Sequence, residues 1–220
     1  MKNQELKLIT LARVFKKSCV DFGKSIKLVD QISVFMKDQV TILGFAGSLR
    51  KGSFNKALLR TAVELAPEDV KIETFDLEGI PPFNQDFERT PPAIVKEFKA
   101  RIRTADAVLI VTPEYNYGVP GVLKNAIDWA SRPYGDNAFD GKPVALMSAS
   151  TGMLGGARAQ YQLRQTFVTF DMHAVNRPEV FVAHVNEKIS EDGKVTDEDT
   201  VKKVRKLIEN LANLSRKLNQ

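Results

Sequence analysis

The chain has 220 residues, 43% hydrophobic and 27% charged, with 32 Lys and Arg against 27 Asp and Glu. That length is enough for one full core, and the ordinary apolar fraction argues against disorder. No run reaches the roughly 18 apolar residues of a membrane span, and one cysteine (Cys19) with two histidines makes neither an internal disulfide nor a Cys/His zinc site an expectation.

A net charge of +5 suggests nucleic acid at first sight, but the excess is local. Residues 1–35 carry seven Lys and Arg against three acidic residues, net +4, and residues 36–220 carry net +1. A basic nucleic-acid-binding module would rest on that first segment alone. Its apolar clusters (Leu8, Ile9, Leu11; Val14, Phe15; Ile26, Leu28, Val29) are broken every few positions by lysine, and no secretory apolar core with a small-residue cleavage site follows. Three readings stay open for it: translated upstream sequence ahead of a start at Met36, an amphipathic extension, or a transit peptide. The expected organisation is therefore an N-terminal extension over 1–35 and one domain over 36–220.

From Val40 the pattern becomes regular. Residues 40–46 form a short apolar run ending at Gly47, as for a strand buried on both faces. Residues 53–65 have helical spacing through Phe54, Ala57, Leu58, Ala62 and Leu65. Alternation over 70–75 predicts a second strand, and 76–92, with two Pro-Pro pairs, a loop. A helix is predicted over 94–103 and a buried strand over 107–112. Pro120 opens a helix to about Ser131. A fourth strand is predicted over 143–148, a helix over 157–170 and a fifth strand over 179–185. The chain closes in a helix over 199–218 with Val201, Val204, Leu207, Ile208 and Leu211 on one stripe. Strands alternating with helices imply an α/β fold. Five strands suit the flavodoxin-like parallel sheet of order 2-1-3-4-5, covered on both faces, with ligands beyond the carboxyl ends of the strands.

Three loops lie at that edge. The first, Gly47 to Asn55, leaves a strand and enters a helix, where free N–H groups and the helix dipole favour an anion. Ser48, Ser53 and Asn55 add short donors and Arg50 a cation. Ser53 stands where a Walker A loop has lysine, and no Gly-x-Gly-x-x-Gly occurs in the chain, so both nucleotide fingerprints are missing. Read alone, the loop is also explained by a Ser53 helix cap and a solvated turn. The second, Thr112 to Gly121, combines two prolines and two glycines with Tyr115 and Tyr117, a rigid wall for a planar heterocycle or a turn covering the sheet end. The third, Ser148 to Gly156, is built of small residues that let backbone approach a ligand, or that simply turn a strand into a helix.

GSLRKGSFN (47–55), TPEYNYGVPGVLKNAIDWASRP (112–133) and GGARAQYQLRQ (155–165) resemble the NAD(P)H-dependent FMN reductase family, nearest within it the bacterial chromate/quinone reductases and related azoreductases. The resemblance spans about 40–179. It implies a flavodoxin-like fold, bound FMN, NADH or NADPH as reductant, and a homodimer or homotetramer. Position by position, Arg50, Ser53, Phe54 and Asn55 would hold the FMN phosphate. Glu114, Tyr115, Asn116 and Tyr117 would line the flavin ring with backbone atoms, and Ser150 with its neighbours would close the other side. The expected cofactor set is Ser48, Arg50, Ser53, Phe54 and Asn55; Pro113, Glu114, Tyr115, Asn116 and Tyr117; and Ser150, Thr151 and Gly152. Arg132, Tyr161 and Glu179 match positions of inter-subunit contact.

The activity so implied is a cytoplasmic oxidoreductase passing electrons by a ping-pong mechanism to quinones, flavins, azo compounds or chromate. No metal, no nucleic acid partner and no catalytic side chain is expected, because the flavin carries the chemistry. His173 and His184 read as packing or surface residues. The rival reading is a flavodoxin-type electron carrier without nicotinamide turnover; such carriers are usually strongly acidic, whereas residues 36–220 are near neutral.

Overall fold

A computed structural model describes residues 39–219; the readings of residues 1–35, Cys19 included, lie outside the described residues. The strands are β1 (Val40–Ala46), β2 (Val70–Phe75), β3 (Ala107–Thr112), β4 (Pro143–Ala149), β5 (His173–Ala174) and β6 (Val180–Val182). The helices are α1 (Phe54–Glu64), α2 (Ala93–Thr104), α3 (Gly121–Ala130), α4 (Ala157–Thr169) and α5 (Glu198–Leu218), with single 3-10 turns at Gln85–Phe87 and Val185–Glu187. All strands run parallel in the order β2-β1-β3-β4-β5, with β6 also on β4. The expected 2-1-3-4-5 flavodoxin-like sheet is therefore present.

Strand periodicity explains why both faces are covered. Alternate residues point to opposite sides, and here both sides are apolar. Ile42, Leu109, Val111, Ala145 and Met147 pack with Leu58 and Ala62 of α1 and with Val204, Leu207, Ile208 and Leu211 of α5. Leu43, Phe45, Val108, Ile110, Val144 and Leu146 pack with Phe98 of α2, Leu123 and Trp129 of α3, and Leu163 and Phe167 of α4. The helices of the described residues thus divide two and three across the sheet. Gly44 belongs to the α1 side: a Cβ there would come within 2.7 Å of Leu59 Cδ1, so its absence lets α1 lie close on β1.

One strand departs from expectation. The fifth sheet position is filled in two pieces: His173–Ala174 beside Pro143 and Val144, then Val180–Val182 beside Met147 to Ala149. The predicted 179–185 strand missed the first piece and ran past the end of the second. Pro178 has no N–H for the ladder, which interrupts the edge. Beyond Val182 the chain turns away, with His184 at φ +49°.

The loop after β2 is held rather than loose. Asn125 Nδ2 and Trp129 Nε1, both from α3, donate to the Pro81 carbonyl at 2.9 and 2.8 Å, and Phe83 N–H donates to Asn125 Oδ1 at 2.7 Å. Among the described residues no helix is long and apolar enough to cross a membrane.

Candidate functional site

The parallel sheet brings the three loops to one edge, because β1, β3 and β4 are neighbours and each ends there. Side chains then tie the loops to one another. Asn55, buried at the start of α1, donates from Nδ2 to the Ala149 carbonyl at 3.0 Å and accepts from Ala149 N–H at Oδ1, 2.9 Å. This reciprocal pair fastens the first loop to the end of β4. Gly47 N–H donates to the Val111 carbonyl at 2.8 Å, joining the first loop to β3.

Within the first loop Ser53 caps α1: its backbone is extended and its Oγ accepts from Lys56 N–H at 3.4 Å. The N–H groups of Phe54 and Asn55 lie in the unsatisfied first turn of the helix, and no acceptor for them occurs among the described residues. Arg50 is exposed, its guanidinium carbon 5.4 Å from the centre of the half-buried Phe54 ring. Ser48 is buried. Lys56 of α1 also reaches Asp76, just past β2, at 2.9 Å. Burial pushes the Asp76 carboxyl up, but hydrogen bonds from Lys56 and the backbone outweigh it and hold it below its usual value.

The second loop contains a tight reversal. Tyr115 and Gly118 exchange two backbone hydrogen bonds, at 3.1 and 2.9 Å, around Asn116 and Tyr117. Both central residues have positive φ, +49° and +68°. Asn tolerates that conformation; tyrosine adopts it rarely and at some cost. Tyr115 and Tyr117 are exposed, Pro113 is buried, and the Pro113 carbonyl accepts from Thr112 Oγ1 at 2.8 Å. Glu114 does not face outward with its neighbours: its carboxylate binds Arg158 on α4.

The third loop is held by β6 and the turn beyond it. Ser150 N–H donates to the Val182 carbonyl at 3.0 Å, and Val185 N–H donates to the Ser150 carbonyl at 3.1 Å. Ser150 Oγ accepts from Gly152 N–H at 3.1 Å, leaving Thr151, Gly152, Met153 and Leu154 exposed as a rim. Gly155 and Gly156 both have positive φ, and a Cβ on Gly156 would lie 2.6 Å from that of Ser148. Only glycine fits where this loop turns into α4.

The joined loops give the site a basic, N–H-lined end at the first loop and aromatic and small residues at the other two. A cavity of about 560 Å³ adjoins its basic end, lined by Lys51, Ser53, Phe54, Arg60, Ile189 and Gly193 among others. A second, of about 450 Å³, lies along α2, lined by Lys96, Lys99 and Arg103 of that helix and by Tyr134 after α3. Among the described residues no group of His, Cys, Asp or Glu side chains could hold a metal ion.

Each of the thirteen expected cofactor residues lies on one of these loops, although the Asn55 and Glu114 side chains are engaged inside the protein. The three expected contact residues separate. Tyr161 Oη lies 3.5 Å from Glu179 Oε1. Arg132 follows the other end of α3, where it binds Glu88 at 2.8 Å and stacks on Tyr134 at 3.8 Å. The ten-residue helix α3 separates it from the second loop. His173 and His184 are exposed.

Sequence reasoning passed over three residues of α4: Arg158, Gln160 and Gln162. Gln160 is fully buried and donates to Ser148 Oγ at 2.8 Å and the Val180 carbonyl at 2.9 Å, joining β4 to β6 beneath the third loop. Its spacing with Leu163 and Phe167 placed it on the apolar stripe, and that was the available signal.

Comparison with known proteins gives concordant findings. Residues 40–187 match the family described as NADPH-dependent FMN reductase. An NAD(P)H-dependent FMN reductase of Pseudomonas aeruginosa is 48% identical over 176 residues, 79% of this chain and 92% of that one. A 2-hydroxy-1,4-benzoquinone reductase of a Burkholderia species is 42% identical over 166 residues, 76% of this chain and 91% of that one. Among solved structures, the flavoenzyme NAD(P)H:(acceptor) oxidoreductase FerB of Paracoccus denitrificans superposes with a TM-score of 0.74 at 36% identity, over 81% of this chain and 98% of that one.

Proposed function

Because the chain belongs to the NADPH-dependent FMN reductase family, we propose that FMN sits on the three joined loops and that a quinone is the electron acceptor. The protein is an NAD(P)H-dependent oxidoreductase with FMN as cofactor. The observation that carries the placement is the pair of ties, Asn55 to Ala149 and Glu114 to Arg158, which make three separate loops one surface.

The cradle suits the group. Arg50, the Ser53 hydroxyl and the free N–H groups of Phe54 and Asn55 offer an anion a cation and fixed dipoles at a helix start. The Tyr115–Gly118 reversal and the Ser150–Gly152 turn offer backbone atoms and flat faces to a ring between them. When bound, FMN supplies the redox chemistry, accepting hydride from the nicotinamide and passing electrons to the acceptor.

The side chains bind and shape. The exposed Tyr115, Tyr117, Met153 and Leu154 give the site an apolar rim for a planar acceptor. These rim residues are exposed, so water can supply the protons a reduced quinone takes up. We assign no side chain as acid or base. One site serves nicotinamide and quinone in turn, the arrangement behind ping-pong kinetics. The quinone assignment is supported by the benzoquinone reductase among the relatives; soluble flavins, azo compounds and chromate are further acceptors of the same electrons. We take 36–220 as the flavin-binding domain, with 1–35 an extension to it, acting in the cytoplasm. Pairing of two or four copies through the α4 side is supported by Tyr161 and Val168, seven residues apart on that helix and both exposed.

The test is the absorption spectrum of the purified protein during anaerobic titration with NADH and NADPH, followed by initial rates with a benzoquinone. A flavin spectrum bleached by either nicotinamide, and parallel double-reciprocal lines, are expected. A colourless protein that takes up no added FMN would overturn the placement.

A further inference from the structure

The helix α4 begins without a cap of its own. Its N-cap is Gly156, which has no side chain to accept the free N–H groups of the first turn. Glu114, more than forty positions earlier and in the second loop, takes that place: Arg158 N–H donates to Glu114 Oε2 at 3.0 Å. The same carboxylate binds the Arg158 side chain, Nη1 to Oε1 at 2.9 Å, in a pair whose carboxylate is only 11% exposed. A negative group here is further favoured by the helix dipole.

Arg158 has a second contact. Its guanidinium carbon lies over the Tyr117 ring, 3.6 Å from its centre, on the exposed residue that stands at φ +68°. A third link from the same helix secures the far side of the reversal: Gln162 Oε1 accepts from Val119 N–H at 2.9 Å. It lies so near Gly118 that a Cβ there would come within 2.9 Å of it. A strained conformation persists only when its surroundings determine it, and here α4 supplies those surroundings.

We propose that Arg158 is a positioning residue: gripped by Glu114, it latches Tyr117 to α4 and so sets the wall against which the acceptor lies. Glu114 gives the guanidinium a fixed direction, and the flat guanidinium gives the tyrosine ring a fixed plane. Lysine would keep the charge but lose the plane. The proposal rests on the flavin reading for its consequence, though not for the latch itself.

Two measurements separate these. Hydrogen exchange over residues 114–119 in the flavin-free protein reads the latch. Arg158→Ala should speed it about fivefold to tenfold, as expected for losing one cation–π contact and its ion pair. In the FMN-loaded enzyme, Arg158→Ala and Tyr117→Ala should each raise the quinone KM about fivefold, with a smaller change in kcat and an altered visible circular dichroism of the flavin. The double variant should be no worse than either single one. Arg158→Lys should fall between, and Tyr117→Phe should restore the KM, which keeps the test open if Arg158→Ala folds poorly. Additive effects, or exchange unchanged in Arg158→Ala and Arg158→Lys, would sink the latch. A wild-type chain with a protected 114–119 segment that takes up no FMN would instead remove the flavin reading and leave the latch standing.

Discussion

Asn55 shows how a side chain can serve a site without presenting itself to a ligand. Its carboxamide holds both the N–H and the C=O of Ala149, and all three groups are buried. Replacing it by alanine leaves two buried backbone groups without partners, each costing about 1–3 kcal/mol. Asn55→Ala is therefore expected to lose about 2–4 kcal/mol in urea unfolding, and to bind FMN more weakly because the first loop is released from β4. Unchanged stability would mean that water replaces both bonds. Short polar residues in a strand-to-helix loop mark an anion cradle in the sequence, but not which of them faces inward. Ser53 does cap α1, the alternative that the loop's sequence left open beside the anion cradle; the inward partners of Asn55 and Glu114 needed the tertiary structure to be seen.

At the scale of elements, helix ends decide more than helix interiors. The α5 stripe of Val204, Leu207, Ile208 and Leu211 is buried as its spacing predicts, while Val201 at its start is only partly covered. The helix begins one residue earlier than predicted because Asp197 caps it, accepting from the backbone N–H of Thr200 at 2.8 Å and from its hydroxyl at 2.5 Å. Those bonds, the hydroxyl's first, hold the Asp197 carboxyl below its usual value. Asp197→Ala should lower stability by about 1 kcal/mol, read as a shifted urea midpoint at neutral pH. Asp197→Asn should recover most of that loss, since asparagine caps nearly as well. The split fifth strand is the element the sequence concealed. Two- and three-residue pieces fall below any pattern window, and only the edge of β4 gives them partners.

For the molecule as a whole, charge placement carries consequences that net charge hides. Asp136, after α3, binds two cations of α2: the buried Lys99 at 2.7 Å and Arg103. Lys99 also donates to the Arg132 carbonyl. The hydrogen bond from Lys99, then the charges of Lys99 and Arg103, hold the Asp136 carboxyl below its usual value. A carboxyl depressed in the folded state stabilises it above the unfolded value, about 3.9, and that contribution disappears as pH falls through the folded value. Chemical unfolding followed from neutral pH down to about pH 3 should therefore show a smaller acid loss in Asp136→Asn than in the parent chain. Because Asp136 is half exposed, the difference is expected to be small. Equal acid loss in the two proteins would remove Asp136 from the account.

The sequence by itself determined the sheet order, the two covered faces and the three loops at one sheet edge where we place the flavin. These follow from local patterns: alternation or continuity of apolar residues, Gly and Pro at the turns, and caps at helix starts. It also located the excess charge in residues 1–35, so the basic balance does not describe the domain. Tertiary structure alone decided which polar groups of those loops face one another. Asn55 meets Ala149, Glu114 meets Arg158 and Gln160 meets Ser148 across separations of 94, 44 and 12 residues. Such pairings depend on strands lying side by side in space, and no period along the chain records them.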